Sequence, residues 1–527
     1  MDRRVSATLQ KSCIVVGVCL AFGTATAAQP QTAAVTVQND SGKAEASDAI
    51  SLAVDPAAEI GPIKPMNAVN NGPSFSLDPN KRKELRSGWF VHYRNLRAPM
   101  ARFHDTRNVS SPPNHAVDIN CIFTDWDADE NDPRSYDFTI TDWVLNSTRL
   151  AGTEIMFRLG NSADQGPKQY GSAEVPKDFG KWARVAEHIV RHYNEGWGWT
   201  NDQIPFNDQF QVKYWELWNE ADLGCPPSYW SNPTNYWAAR PRYWNGPPES
   251  FFKFYATVAK HLKATFPNLK IGGPSVAGEP HWTDHFLGYC AANFVPIDFF
   301  SWHTYASSVE SVPAKGALMK ELLVKHGYGD AESILNEWDW ITGWYGDAFR
   351  SSTRIRTGLD NFKMAAFYAG VMSAMQDSSA DMLMYYDTRV PTVYNGIFDY
   401  YSERPTKGYY ALYAWAKMRD LGTQVKAALG RKDAGLWVTA AKGADGAVGI
   451  YLARYTLDAN VVKNETVRIT VAGRSMSGAR CHLTDELNRY TEVPLAVFPD
   501  GSAEIDMDPN AFAFIELPPP PRVNGVF

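Results

Sequence analysis

Two Asn-Glu dipeptides, Asn219-Glu220 in "KYWELWNEADL" and Asn336-Glu337 in "SILNEWDW", are the residues of this 527-residue chain whose types and setting point most directly to chemistry. Each closes an apolar, aromatic-rich run with the bias of a buried strand, so both carboxylates stand where a strand ends. A glutamate is ordinarily a solvated loop residue. Two of them in matching positions, each behind an asparagine and among Trp215, Trp218, Trp338 and Trp340, read instead as a pair. Paired carboxylates flanking one bond are what glycoside hydrolysis requires: one gives a proton to the leaving oxygen, and the other attacks the sugar carbon or activates water. Tryptophan adds a flat partner for the apolar C–H face of a sugar ring.

The elements that must position this pair are legible as a series. Short apolar runs, "MNAVNNG", "MARFHD", "TEIMFRLG", "KYWELWNE", "LKIGGPSV", "DFFSWHTY", "SILNEWDW" and "DMLMYYDT", alternate with amphipathic stretches. One of these, "DFGKWARVAEHIV", puts Phe179, Trp182, Val185, Ala186 and Ile189 on one helical face. Eight strand-plus-helix units predict an α/β fold, a (β/α)8 TIM barrel over residues 66–420. Active residues of such barrels gather at the carboxyl ends of the strands, and the fourth and seventh strands face each other across that mouth. After residue 421 the texture changes to short alternating segments such as "GLWVTAAKG", "AVGIYLARY" and "AFAFIELP", which predict a β-sandwich accessory domain over 421–527. Residues 51–65 offer a possible further strand for it.

Composition narrows the class of ligand. The chain is 44% hydrophobic and 13% aromatic, ample for a large core, and carries a net charge of −7 without any Lys/Arg-rich run. That balance argues against nucleic acid and favours neutral substrates. The first residues combine a basic start, an apolar stretch from Cys13 to Phe22 and an Ala25-Thr26-Ala27 site, which predicts a signal peptide over 1–28 and export to the periplasm or beyond. The apolar stretch is well short of the roughly 20 residues that span a membrane. Val18 before Cys19 speaks against a lipid anchor, so no membrane anchor is expected. Removing the signal takes the charge to about −9 by count. Residues 29–50 read as a flexible leader. Cys121, Cys225, Cys290 and Cys481 then remain, widely spaced and without a C-x-x-C pair, so neither a zinc site nor any other metal or cofactor is called for. Export permits disulfides; Cys121 with Cys225, both in loops after predicted strands, is the candidate bridge. The sequence sets no oligomeric state.

From about Met66 to Met418 the chain resembles the glycoside hydrolases of clan A and, within them, family 39, a group with β-xylosidases. The resemblance rests on motifs in order: "YDFTITDWVLNSTRLAG", "YWELWNEADL", "FPNLKIGGPSVAG", "VPIDFFSWHTY", "SILNEWDW" and "NGIFDYYSERPTKGYYALYAW". It implies a retaining glycosidase with Glu220 as acid/base and Glu337 as nucleophile, Asn219 contacting the 2-hydroxyl of the bound sugar, and His303, Tyr305 and His104 lining the sugar pocket. Tyr305 is expected to hydrogen-bond the nucleophile, and Trp338 beside it to contact substrate. The sequence departs from the family in Ala221 and Asp222, where Asn-Glu-Pro-Asn is usual, and in Asn336-Glu337-Trp338, where Thr-Glu-Phe is frequent. The segment 222–246, with Tyr229, Trp230, Tyr236, Trp237, Tyr243 and Trp244, either walls the pocket or packs its loop onto the barrel.

These readings converge on an exported exo-acting, β-xylosidase-like enzyme that takes an oligosaccharide or polysaccharide fragment. Three alternatives stand beside it: a glycosidase for an arabinoside, galactoside or uronide, which an extra Lys or Arg in the pocket would favour in the last case; an endo-acting glycanase; and a non-catalytic carbohydrate-binding protein, since a fold alone does not confer activity.

Overall fold

Eight parallel strands close into a barrel in the order β2 (Ala68–Asn70), β3 (Met100–Phe103), β4 (Glu154–Leu159), β5 (Tyr214–Leu217), β6 (Lys270–Val276), β7 (Phe299–Ala306), β8 (Glu332–Trp340) and β9 (Met382–Tyr385), with β9 pairing back onto β2. This computed structural model describes residues 49–73, 88–104, 116–162, 174–199, 210–231, 243–358, 361–390, 392–399, 401–431 and 434–521. The signal and most of the leader expected at 1–50, together with Tyr236 and Trp237, lie outside the described residues. Each of the eight runs singled out in the sequence supplies one barrel strand, because each is short, apolar and bounded by turn-forming residues.

The barrel interior is stratified by the two-residue period of its strands. At the amino-terminal end Ala68, Met100, Met156, Tyr214, Phe299, Ile334, Met382 and Met384 form a closed apolar plug. Two residues further along, the inward positions turn polar: Asn70, Arg102, Arg158, Glu216, Ser301 and Asn336, all buried. Another step reaches the mouth, with His104 and His303. The outward positions pack under the helices. Phe179–Glu195 buries Trp182, Val185, Ala186, Ile189, Val190 and Tyr193 on one face. It starts at Asp178, whose side chain accepts from Lys181 N, and stops at Gly196 with φ +76°.

Ten further strands form a second sheet of mostly antiparallel pairs among the described residues: β1 (Ile50–Pro62), β10 (Thr423–Leu429), β11 (Leu436–Lys442), β12 (Val448–Arg454), β13 (Glu465–Val471), β14 (Arg480–Thr484), β15 (Thr491–Val493), β16 (Ala496–Val497), β17 (Ala503–Met507) and β18 (Ala511–Leu517). The sheet curls around its own core, in which Leu52, Val54, Val425, Ile450, Ile469 and Ile515 meet. β1 lies between β10, antiparallel, and β13, parallel, so the segment ahead of the barrel is bound into the sheet behind it. The sheet docks on the barrel's helices. Trp415 meets Tyr451 edge to face at 5.0 Å, and the Tyr451 hydroxyl donates to Ala411 O at 3.0 Å. Trp437 packs close over Gly370.

Candidate active site

The site is built where β5, β6, β7 and β8 end. Glu220 follows β5 through backbone that turns left-handed at Trp218 (φ +72°) and at Glu220 itself (φ +45°). Such conformations are costly for residues with a side chain and persist only where the surroundings hold them. Here Trp218 Nε1 donates to Tyr243 O at 2.9 Å, and Glu220 N donates to Ser275 O at 2.9 Å. Gly273 in β6 has φ +119° and passes so close to Leu217 O that a Cβ would stand 2.8 Å from it, which explains the glycine pair in "KIGGPSV".

On β8 the device is a bulge. The pairing register slips against β7 between Trp302 and His303, and against β9 between Leu335 and Trp338. Adjacent residues in a strand normally point to opposite faces, but a bulge lets two neighbours share one. Asn336 and Glu337 both point into the barrel: Asn336 Nδ2 reaches Glu216 Oε1 at 2.5 Å, and Glu337 Oε1 reaches Arg102 at 2.6 Å. Trp338 then faces outward. Its ring packs against Tyr368, Tyr385 and Phe367 and is 1% exposed, so the substrate contact expected of Trp338 is not made in this arrangement.

The other expected residues come together. Tyr305 donates to Glu337 Oε2 at 2.8 Å. His303 places Nδ1 2.8 Å from Glu220 Oε1 and 3.4 Å from Glu337 Oε2, and Nε2 2.6 Å from Ser275 Oγ. Arg102 and Asn336 Nδ2 donate to Ser275 Oγ at 2.8 and 3.2 Å, taking up both lone pairs and leaving the hydroxyl hydrogen for His303 Nε2. His303 therefore carries its proton on Nδ1 and donates to Glu220. Burial pushes the His303 ring down to about 4, so it stays neutral at ordinary pH. His104 lies 3.7 Å from Glu337 Oε1 and is held well below the usual histidine range by burial and by the nearby Arg102 charge. Asn219 Oδ1 accepts from Arg102 Nη2 at 2.6 Å, while its Nδ2 has no partner among the described residues.

Arg102 is the residue that sequence reasoning missed. It is fully buried and gives hydrogen bonds to Glu216 (2.5 Å), Asn70 (3.2 Å), Glu337, Asn219 and Ser275. Burial opposes its charge, yet the two carboxylates outweigh that and hold the guanidinium firmly protonated. Its signal in the sequence was an arginine two residues before His104 in "MARFH", at an inward position of an otherwise apolar strand. Glu337 is pulled both ways: burial and the neighbouring Glu220 raise its carboxyl, whereas His303, Arg102 and the Tyr305 hydrogen bond oppose this, and the net direction is upward.

Asp222, one of the two departures after Glu220, has a structural role. It accepts from the backbone N–H groups of Ala277 (2.8 Å), Gly278 (2.9 Å) and Glu279 (3.1 Å), tying the loop after β5 to the loop after β6. Burial raises its carboxyl to about 6. Within the described parts of 222–246, Tyr229 and Trp244 are buried against the helix Pro248–Thr265, through Glu249 and Ser250, while the Tyr243 ring centre lies 6.2 Å from that of His104, so these residues both pack and border the mouth. Cys225, Cys290 and Cys481 are buried free thiols, so the expected Cys121–Cys225 bridge is not formed.

One carboxylate oxygen each of Glu220 and Glu337 and a ring nitrogen of His303 lie within 4.8 Å of one another. Among the described residues this is the one His/Cys/Asp/Glu set close enough to share an ion, but the Arg102 guanidinium on Glu337 makes it a poor place for a cation. The set suits a neutral molecule with a bond to be placed between two carboxyl groups.

The two glutamates thus meet at the mouth of a closed (β/α)8 barrel, one just after its fourth strand and the other within its seventh. Residues 118–328 match the family model of glycosyl hydrolases family 39. The match includes Glu220, His303 and Tyr305 and ends before Glu337. A β-xylosidase of Geobacillus stearothermophilus is 28% identical over 182 residues, which is 33% of this chain and 31% of that protein. The aligned part thus spans about a third of the relative's length. Among solved structures, a glucosidase from Croceicoccus marinus superposes with a TM-score of 0.66 at 22% identity, covering 89% of this chain and 98% of the other. A monomeric β-xylosidase from Caulobacter crescentus gives 0.62 at 16% identity, covering 89% and 99%. At these identities the likeness is one of fold.

Proposed function

We propose that this protein is a retaining, exo-acting glycoside hydrolase of β-xylosidase type, with Glu337 as nucleophile and Glu220 as acid/base. The observation that carries the reading is the closeness of the two carboxylates: one oxygen of each lies within 4.8 Å of the other, with His303 Nδ1 at 2.8 and 3.4 Å from Glu220 and Glu337. Retaining enzymes hold the pair about 5–5.5 Å apart, whereas inverting enzymes need about 6.5–9.5 Å to admit water. The division of roles follows from the surroundings. Glu337 is the more enclosed, with its side chain 6% exposed, and is gripped by Arg102 and Tyr305, which favour the anion a nucleophile must be. Glu220, at 14%, is bound by a neutral His303 and faces the opening, where a leaving oxygen takes up a proton. Asn219, fixed through its Oδ1, keeps an amide N–H for the 2-hydroxyl.

The xylose preference is supported by partial similarity to β-xylosidases. A uronide would call for an uncommitted cation, and Arg389 beside the mouth has its Nε on Asp387 and its Nη2 on Tyr386. Export to the periplasm or medium belongs to the same proposal and rests on the first 28 residues. The test is a panel of nitrophenyl glycosides with the purified protein, followed by NMR of the first-formed anomer. The expected result is response to the β-xyloside with retained configuration; an inverted product or an inert protein overturns the assignment.

A further inference from the structure

Trp344 is a large aromatic that the reaction leaves unused. It stands in the loop that follows β8, 47% exposed, its ring in a T-shaped contact with Tyr305 at 4.9 Å between centroids and an interplanar angle of 73°. Tyr305 is the group that holds Glu337 Oε2, so the indole sits at the rim directly outside the carboxylate pair. The loop is anchored at its base: Arg356 donates to Trp340 O at 2.7 Å and to Asp339 at 2.8 Å, and Thr342 N donates to Ser352 Oγ at 3.0 Å. An exposed tryptophan on an anchored loop holds a fixed, partly dry ring towards the mouth at little entropic cost. Tyr305 in turn lies near Tyr386 and Tyr394, at 6.3 and 6.2 Å between centroids, so the aromatic surface continues inward without a break.

Resting on the glycosidase reading above, we infer that Trp344 is a specificity-determining residue that stacks on the second sugar unit of the substrate, the one beyond the bond being broken. The chemistry is the apolar C–H face of a pyranose laid on an indole, which recognises shape rather than particular hydroxyls. A sugar held in this way is present before and during bond cleavage alike, so the contact acts mainly on binding.

The experiment compares xylobiose, which has a second sugar, with β-xylosyl fluoride, which has none, in the wild type, Trp344→Ala and Trp344→Phe. The expected result for Trp344→Ala is a KM for xylobiose raised about tenfold, the size of one aromatic contact, with kcat/KM for the fluoride within about twofold of wild type. Trp344→Phe recovers most of the loss. Equal losses on both compounds, or none on either, overturn the inference while leaving the hydrolase reading intact. A wild type inert toward both overturns the two together.

Discussion

The phenol of Tyr305 donates to Oε2 of Glu337 at 2.8 Å, while Oε1 of the same carboxylate takes the guanidinium of Arg102 at 2.6 Å. Each oxygen thus has its own donor, and the carboxylate is fixed in plane between β7 and β3. Burial nonetheless raises the Glu337 carboxyl above its usual 4.5. A nucleophile acts as the anion, so the acid limb of kcat/KM should be displaced upward from that usual value. The Tyr305 hydrogen bond pulls in the other direction, and Tyr305→Phe removes it. The limb should therefore move to still higher pH in that variant. A pH profile with a β-xyloside measures this; a shift to lower pH contradicts the arrangement.

Replacing Glu337 with Gln keeps the shape and removes the nucleophile. Turnover should fall by several orders of magnitude with the fold preserved, because no glycosyl-enzyme intermediate forms. Rates on an aryl β-xyloside, alongside circular dichroism and thermal melting, check both halves. Near-normal turnover in the folded variant refutes the role.

Glu220→Ala should discriminate by leaving group. As general acid the residue matters for a poor leaving alcohol and little for dinitrophenolate, which departs without a proton. With the activated substrate the intermediate should accumulate, since the same residue serves as base toward water in the second step. Azide needs no such base and should restore turnover, giving a glycosyl azide of retained configuration. Equal damage to both substrates, or indifference to azide, excludes Glu220 as acid/base.

Arg102→Met should destabilise the fold by about 3–5 kcal/mol, because it strands two buried carboxylates, Glu216 and Glu337, without their cation. Adding Glu216→Gln removes one of those stranded charges and should recover part of the stability in denaturant titration. Activity should not return with it, since Glu337 and Asn219 remain without the donor that places them.

What the sequence determined by itself was whatever depends on neighbours in the chain. Short apolar runs with bounding turns marked the eight barrel strands, and residues closing those runs, Glu220 and Glu337 with His104, His303 and Tyr305, were placed at one end of one barrel. These are local properties, since strand direction and the end of a strand are written within a few residues. The tertiary structure alone decided what depends on register between strands distant in sequence. Arg102 becomes the hub of the site because β3 presents it to Glu216 on β5 and Glu337 on β8, more than a hundred residues away. Trp338 looked like a pocket residue by adjacency and proved to be packing, because a bulge seen only in the pairing of β8 with β7 and β9 turns Asn336 and Glu337 inward together. The same holds for Trp344, whose contact with Tyr305 joins the loop after β8 to β7. Side-chain alternation fixes which face a residue takes only until a strand slips by one position, and such a slip is set by the partner strands.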